Sequence, residues 1–351
     1  MSVTDLVTRR NSTIGSVIAL VVIGILTVLF TDIAVSNILN VGVIERTLRA
    51  AAPVALAAIG GLYAEKSGVF NIGLEGFLIF GAFSATASAW FISGGSSITQ
   101  LHLWLGVIVA VVICTFLGLL YAILTIRYKA NQIVAGLGVW FVGLGFTPFA
   151  ASLIWQDLSS PPMPNINDIV IPGLSKIPIV GPILFAVSPM VLITILVSIA
   201  AWVHLYRTRF GYWVQAAGEN PEALETAGID VNHVRYLAVI FSGTLAGLGG
   251  AALAVGFAGG FTGTGTTLVD GRGWIAITAY MFGNYNPLGA LGASILFGGT
   301  DALQVQFQTI GISFPQSLTS LFPYVAVLLV LALVGRTRTP SAAGEPYETD
   351  E

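Results

Sequence analysis

A carboxylate and an amide stand where an apolar chain least tolerates them. Asn71 and Glu75 lie inside the apolar run Val69–Phe91. A charge in hydrocarbon is costly enough that Glu75 reads as functional or as an inter-helix tie. Any helix that includes both residues, four apart, sets them on one face, where they either line a polar channel or pin one helix to another. Glu65 beside Lys66 reads more simply as a charged turn at a membrane surface. Further along, Asp270 and Arg272 flank Gly271, and Trp274, Thr278 and Tyr280 follow. Aromatic groups of this kind stack on flat apolar faces and still donate hydrogen bonds. Asn71, Glu75, Trp274 and Thr278 are therefore the candidates for a polar path through an apolar layer, with an interfacial anchor as the simpler reading of Trp274.

Groups for covalent or metal chemistry are sparse. His102, His204 and His233 are far apart and fall near predicted helix ends. Neither an HExxH zinc signature nor a GxxxxGK[ST] phosphate loop occurs. The stretch Gly259 to Gly265 is rich in glycine but lacks the lysine of a phosphate loop. Cys114 stands alone within Leu105–Ile126, which permits no internal disulfide and, by itself, no cysteine metal site. The expectation is a chain with no catalytic residues, no metal site, no cofactor of its own and no nucleic-acid partner.

The elements that position these residues follow from composition. Of 351 residues, 55% are hydrophobic and 9% charged, against roughly one-quarter charged in soluble domains. Apolar stretches of the length that a hydrocarbon layer about 30 Å thick requires of a helix recur along the chain. They are too long and too continuously apolar for barrel strands. The 41 glycines suit membrane helices, where small residues let backbones approach. The expected fold is all-α, a polytopic transmembrane helical bundle. Its approximate crossings, about ten, are Ile14–Val35, Ala50–Tyr63, Val69–Phe91, Leu103–Thr125, Gln132–Leu153, Phe185–Tyr206, Val234–Val255, Trp274–Met281, Leu288–Phe297 and Leu318–Val334. The two short segments around Gly283–Pro287 read as short paired helices, a re-entrant pair or two spans.

Orientation follows from the basic residues. With residues 1–13 inside, ten of the 14 Lys and Arg residues lie on the inner side and four on the outer, so both termini are expected in the cytoplasm. Ile14–Phe30 follows Arg9 and Arg10, yet no convincing small-residue cleavage site comes after it, so it reads as a retained helix. The proline-rich loop 155–184 is expected outside, as an inert connector or a small structure over the exit of the fifth helix. The polar loop 207–232 is expected inside. There Asn220 would cap a short helix that starts at Pro221 and ends near Gly228. Residues 336–351, with four acids among the last seven, read as a disordered acidic cytoplasmic tail.

Three passages carry a resemblance. Gly60–Ala82 reads GGLYAEKSGVFNIGLEGFLIFGA, Phe210–Asp230 reads FGYWVQAAGENPEALETAGID, and Gly271–Gly289 reads GRGWIAITAYMFGNYNPLG. Together they resemble the permease subunits of ABC importers for branched-chain amino acids, ribose-like sugars and nucleosides, over roughly residues 14–335. Gln215 stands where relatives commonly carry Arg, and Leu224 where a second small Ala is usual.

The resemblance implies a type II ABC importer-like fold in the cell membrane and a transport subunit, not an enzyme. It implies ABC ATPase subunits that use ATP and Mg, a second permease subunit, identical or related, an extracellular substrate-binding protein or lipoprotein, and surrounding membrane lipids. Gly218, Glu219, Asn220, Pro221, Ala223 and Gly228 would belong to the element that couples to the ATPase, and Asn71, Glu75, Trp274 and Thr278 to the translocation path. The expected cargo is a nucleoside, with ribose-like or other simple sugars as the alternative. An ion-coupled secondary transporter and a membrane receptor or scaffold are the remaining readings, and the former would use a midplane acid such as Glu75.

Overall fold

The computed structural model describes residues 40–170, 172–173, 175, 186–310, 339–345 and 347. The expected first crossing, Ile14–Val35, the last, Leu318–Val334, and residues 1–13 lie outside these.

The described chain is built of helices and one two-residue strand pair, joined by turns and irregular connectors. In order it forms α1 (Val41–Lys66), α2 (Leu74–Ile92), α3 (Gln100–Ala122, continued by a π turn, Ile123–Arg127) and α4 (Gln132–Trp155). After a connector come β1 (Ile169–Val170), β2 (Ala186–Val187) and α5 (Pro189–Arg207). Then follow α6 (Arg209–Glu219), α7 (Pro221–Thr226), α8 (Val231–Leu253, with a π turn, Ala254–Ala258), α9 (Arg272–Phe282) and α10 (Pro287–Thr309). β1 and β2 pair antiparallel, Ile169 opposite Val187.

Local chemistry sets the helix starts. Asn40, Asn131, Thr208, Asn220, Asp230 and Asn286 each accept a backbone N–H of the first turn they precede, which satisfies donors that a helix leaves unpaired. Prolines open α5, α7 and α10, where a missing N–H costs nothing. At α3 the Thr99 backbone N–H donates to His102 Nδ1 at 3.2 Å, so this histidine closes a helix cap.

Seven described helices are long and apolar enough to cross a membrane: α1, α2, α3 with its π turn, α4, α5, α8 with its π turn, and α10. α1, α2 and α8 form the centre. In α8, 78% of the most apolar stretch is buried, against 17% in α4. Helices at the periphery turn Phe116, Phe141, Phe149 and Leu153 outward, the surface a lipid solvent calls for. At the centre, contact depends on missing side chains. A Cβ on Gly81 would strike the backbone of Gly247, and one on Gly250 the backbone of Leu78. Close packing of this kind, in place of a hydrophobic drive, holds helices together in lipid.

The expected boundaries need correction. Ala50–Tyr63 is the interior of a 26-residue helix, because Glu45, Arg46 and Arg49 before it and Glu65 and Lys66 after it lower the hydropathy yet are good helix formers. The crossing placed at Val69–Phe91 starts as a helix only at Leu74. Trp274–Met281 extends to an 11-residue helix, α9, about 16 Å long and too short to cross alone. Leu288–Phe297 is part of a 23-residue helix. The loop 207–232 holds two helices, α6 and α7, not one.

The chain segment before α9 is irregular and packed against its neighbours. Residues 259–271 leave the end of α8 beside the proline-rich connector. Met163 N–H donates to Gly259 C=O at 2.8 Å and Ser160 N–H to Phe261 C=O at 2.8 Å. The chain then runs on until Gly271 meets the start of α2, where α9 begins. Irregular backbone within a membrane survives where protein surrounds it.

Candidate functional site

Two groups of side chains stand out: a polar network that holds α9, and the α6–α7 segment at one end of the bundle.

The network begins at the first turn of α2. Glu75 is 2% exposed. Its Oε1 accepts the Gly271 N–H at 2.8 Å and its Oε2 the Gly273 N–H at 2.6 Å. These donors stand at the start of α9, where unpaired N–H groups and the helix dipole favour a negative partner. Gly273 is required here, because a Cβ on it would run into the backbone of Glu75. Arg272 reaches Asp301 of α10 at 3.4 Å.

The other end of α9 is held by a second carboxyl group. Glu65 Oε2 accepts from Tyr280 OH at 2.6 Å, and Oε1 from Tyr285 OH at 2.8 Å. Glu65 is 5% exposed, so the reading of a charged surface turn is overturned. In a buried site a carboxyl group needs donors, and two phenols supply them.

Asn71 sits outside the helix that contains Glu75, since α2 starts at Leu74. The shared helix face does not form. Asn71 Oδ1 instead accepts the Gly73 N–H at 2.9 Å, and its Nδ2 donates to Ser242 Oγ of α8 at 2.9 Å. Asn71 and Glu75 are thus both fully engaged inside the protein. Trp274 and Thr278 lie on α9 and are half-buried; Thr278 Oγ1 donates to Trp274 C=O at 3.1 Å, and the Trp274 ring meets Trp140 edge-on at 5.4 Å. The four candidates converge on the α2–α9 region, but only Trp274 and Thr278 retain exposed surface.

At the bundle end that carries α6 and α7, the local signals act as expected. Asn220 Oδ1 accepts the Ala223 N–H at 3.0 Å, Pro221 opens α7, and Gly228 after it adopts a φ of +79°, a left-handed conformation that glycine adopts freely. Leu224, the departure from the family pattern, is buried and anchors α7. Gln215 Nε2 donates to Leu205 C=O at 2.7 Å, tying α6 to α5. Gly218 lies on the end of α1, where a Cβ would strike the Lys66 backbone. Lys66 adjoins Glu65, so α6 packs on the end of α1 whose neighbouring carboxyl group holds α9. Glu219, Pro221, Ala223 and Gly228 lie along this segment, and Glu219 and Ala223 are exposed.

Sequence reasoning missed Tyr285, Asp301 and Arg235. The Arg235 guanidinium is buried, and its Nη2 donates to Ala217 C=O at 3.3 Å. The one signal was that any acid or base in an apolar stretch requires a partner; which partner is not visible in the pattern. Among the described residues no group of three or more His, Cys, Asp or Glu could hold a metal ion.

Comparison with known proteins matches residues 43–331 to a family described as branched-chain amino acid transport system / permease component. The chain is 34% identical over 310 residues to the guanosine ABC transporter permease protein of Bacillus subtilis, covering 87% of this chain and 96% of that protein. It is 34% identical over 303 residues to a nucleoside ABC transporter permease protein of Lactococcus lactis subsp. cremoris, covering 84% and 93%. A Haloferax volcanii ABC transporter permease protein, provisionally named for glucose, is 32% identical over 337 residues, covering 88% and 98%. No solved structure matches.

Proposed function

The chain belongs to the branched-chain amino acid transport system permease family, as a multi-pass membrane permease subunit of an ABC importer, and on that basis we propose that it imports nucleosides. The observation that carries the substrate reading is the 34% identity, along 96% of its length, to a permease named for guanosine. The glucose-named relative keeps ribose-like or other simple sugars as a second reading.

The proposed assembly contains ABC ATPase subunits that use ATP and Mg, a second permease subunit, identical or related, and an extracellular binding protein or lipoprotein. The α6–α7 segment, with Gly218, Glu219, Asn220, Pro221, Ala223 and Gly228, docks to the ATPase. Its contact with Lys66 supports this role, because a push on α6 reaches the end of α1, and Glu65 beside it grips α9. Trp274 and Thr278 border the translocation path. Glu75 acts on that path indirectly, as a tie at the start of α9, and Asn71 by fixing the turn before α2 to α8. ATP closure shifts a two-state bundle, and because a ligand biases such a bundle only through its differential affinity for the two states, a weak permease site is compatible with high-affinity capture by the receptor.

The proposed topology has ten segments: the seven long helices, a broken crossing over 259–282, and the expected Ile14–Val35 and Leu318–Val334. Both termini are cytoplasmic. Residues 1–13 and 336–351 flank a permease domain, 14–335, with the coupling loop 207–232 inside and the loop 155–184 outside. Lys66, Arg127, Lys129, Arg207, Arg209 and Arg235 stand at the α6–α7 end of their helices or turns, and this basic bias supports a cytoplasmic position for that end.

The deciding experiment is uptake into vesicles that contain the complete transporter, with its receptor screened against nucleosides and simple sugars. ATP-dependent accumulation of a nucleoside is the expected result. Accumulation of sugars alone would move the assignment to the second reading, and no accumulation of either would sink both.

A further inference from the structure

The acidic tail is more than a solvated end. Where described, residues 339–347 cross the α6–α7 end of the bundle and touch four elements. Ser341 Oγ donates to Glu219 C=O at 2.6 Å, and Ala342 N–H to Gly218 C=O at 2.8 Å, which satisfies carbonyls that the end of α6 leaves open. Gly344 N–H donates to Gly68 C=O, in the turn between α1 and α2, at 3.0 Å. Arg235 Nη1 of α8 donates to Glu345 C=O at 3.1 Å, and its guanidinium lies over the Tyr347 ring, 5.6 Å from the centroid. The Tyr347 hydroxyl donates to Glu225 Oε2 of α7.

These contacts matter because α7 has little anchorage of its own. It has six residues and one buried anchor, Leu224, and a helix this short is marginal in water without tertiary support. The tail ties α7 through Glu225 and the end of α6 through Gly218 and Glu219. The same stretch is fastened to the α1–α2 turn and to the buried Arg235. A push delivered to α7 therefore passes to α1, α2 and α8 along several bonds, not through Leu224 alone.

We propose that residues 339–345 and Tyr347 form a strap that joins the α6–α7 segment to the bundle, so that a displacement of this segment by the ATPase moves α1, α2 and α8 with it. The proposal rests on the reading of α6–α7 as the ATPase-docking segment. The ring of Tyr347 over Arg235 and its hydroxyl on Glu225 make this residue the knot of the strap.

The test compares the full chain, a chain ended at Arg338, and Tyr347→Phe, each in the complete transporter. Hydrogen exchange at residues 219–228 and nucleoside accumulated per ATP hydrolysed are the measurements. For the shortened chain, exchange in α7 becomes about tenfold faster, as for a segment shifted to the low-stability end of the structure. ATP hydrolysis continues while accumulation per ATP falls several-fold. Tyr347→Phe keeps the ring over Arg235, loses the tie to Glu225 and falls between. Unchanged exchange in both variants refutes the strap, and so does a rise in uptake on removal of the tail, which would make it an inhibitory flap. If the shortened chain fails to assemble, Tyr347→Phe alone decides by the same exchange measurement. A full-chain transporter that accumulates no nucleoside refutes the substrate reading and leaves the exchange comparison intact.

Discussion

At Glu75 the cost of a carboxyl group in an apolar layer is offset by two backbone donors, and the balance is specific to both oxygens. Glu75→Gln keeps one acceptor and turns an amide NH2 toward the other N–H, so it is expected to lose about 1–3 kcal/mol of stability. Glu75→Ala strands both donors and is expected to lose more. Thermal unfolding of the purified permease in detergent reads the order, and wild-type stability of Glu75→Ala would remove the tie from the account. Glu65 makes a related case with side-chain donors. Tyr280→Phe and Tyr285→Phe each remove one hydroxyl from a buried acceptor, at about 1–3 kcal/mol. Because both phenols serve one carboxyl group, the double variant should fall below the sum of the singles, and strict additivity would argue that Glu65 finds other donors.

For the helices, close approach and outward display separate glycines that look alike in sequence. A Cβ on Gly81 of α2 would meet the Gly247 backbone of α8, while one on Gly138 of α4 would find no neighbour within 4 Å. Gly81→Val is expected to push α2 from α8 and to lower the yield of folded protein sharply. Gly138→Ala is expected to be neutral or to gain up to about 1 kcal/mol from helix propensity. Equal effects of the two in a thermal-shift measurement would contradict the packing described for the centre. The proposed broken crossing has the same logic at a larger size. α9 is too short to span by itself, and carboxyl groups hold it at its two ends.

The arrangement of the whole molecule can be tested by sidedness. Cys114 is buried, so introduced cysteines are read against a low background. Ser96→Cys, in the exposed α2–α3 turn, is expected to react with a membrane-impermeant maleimide in intact cells. Glu222→Cys, on α7, is expected to react only in inverted vesicles. The reverse pattern would turn the proposed topology over and place the α6–α7 segment beyond the reach of a cytoplasmic ATPase.

The amino-acid sequence by itself determined that the chain lies in a bilayer as helices, and that Asn220, Pro221 and Gly228 bound a short polar helix. Both follow from short-range physics: apolar length against membrane thickness, and a cap whose donors lie three residues away. The family was legible for the same reason, in three continuous passages. Only the tertiary structure decided what Glu65, Glu75 and Arg235 are for. Glu75 reaches N–H groups 196 and 198 residues away, and Glu65 finds hydroxyls 215 and 220 residues away. A backbone N–H carries no mark in the sequence, and which one meets a buried acid is settled when distant helices pack.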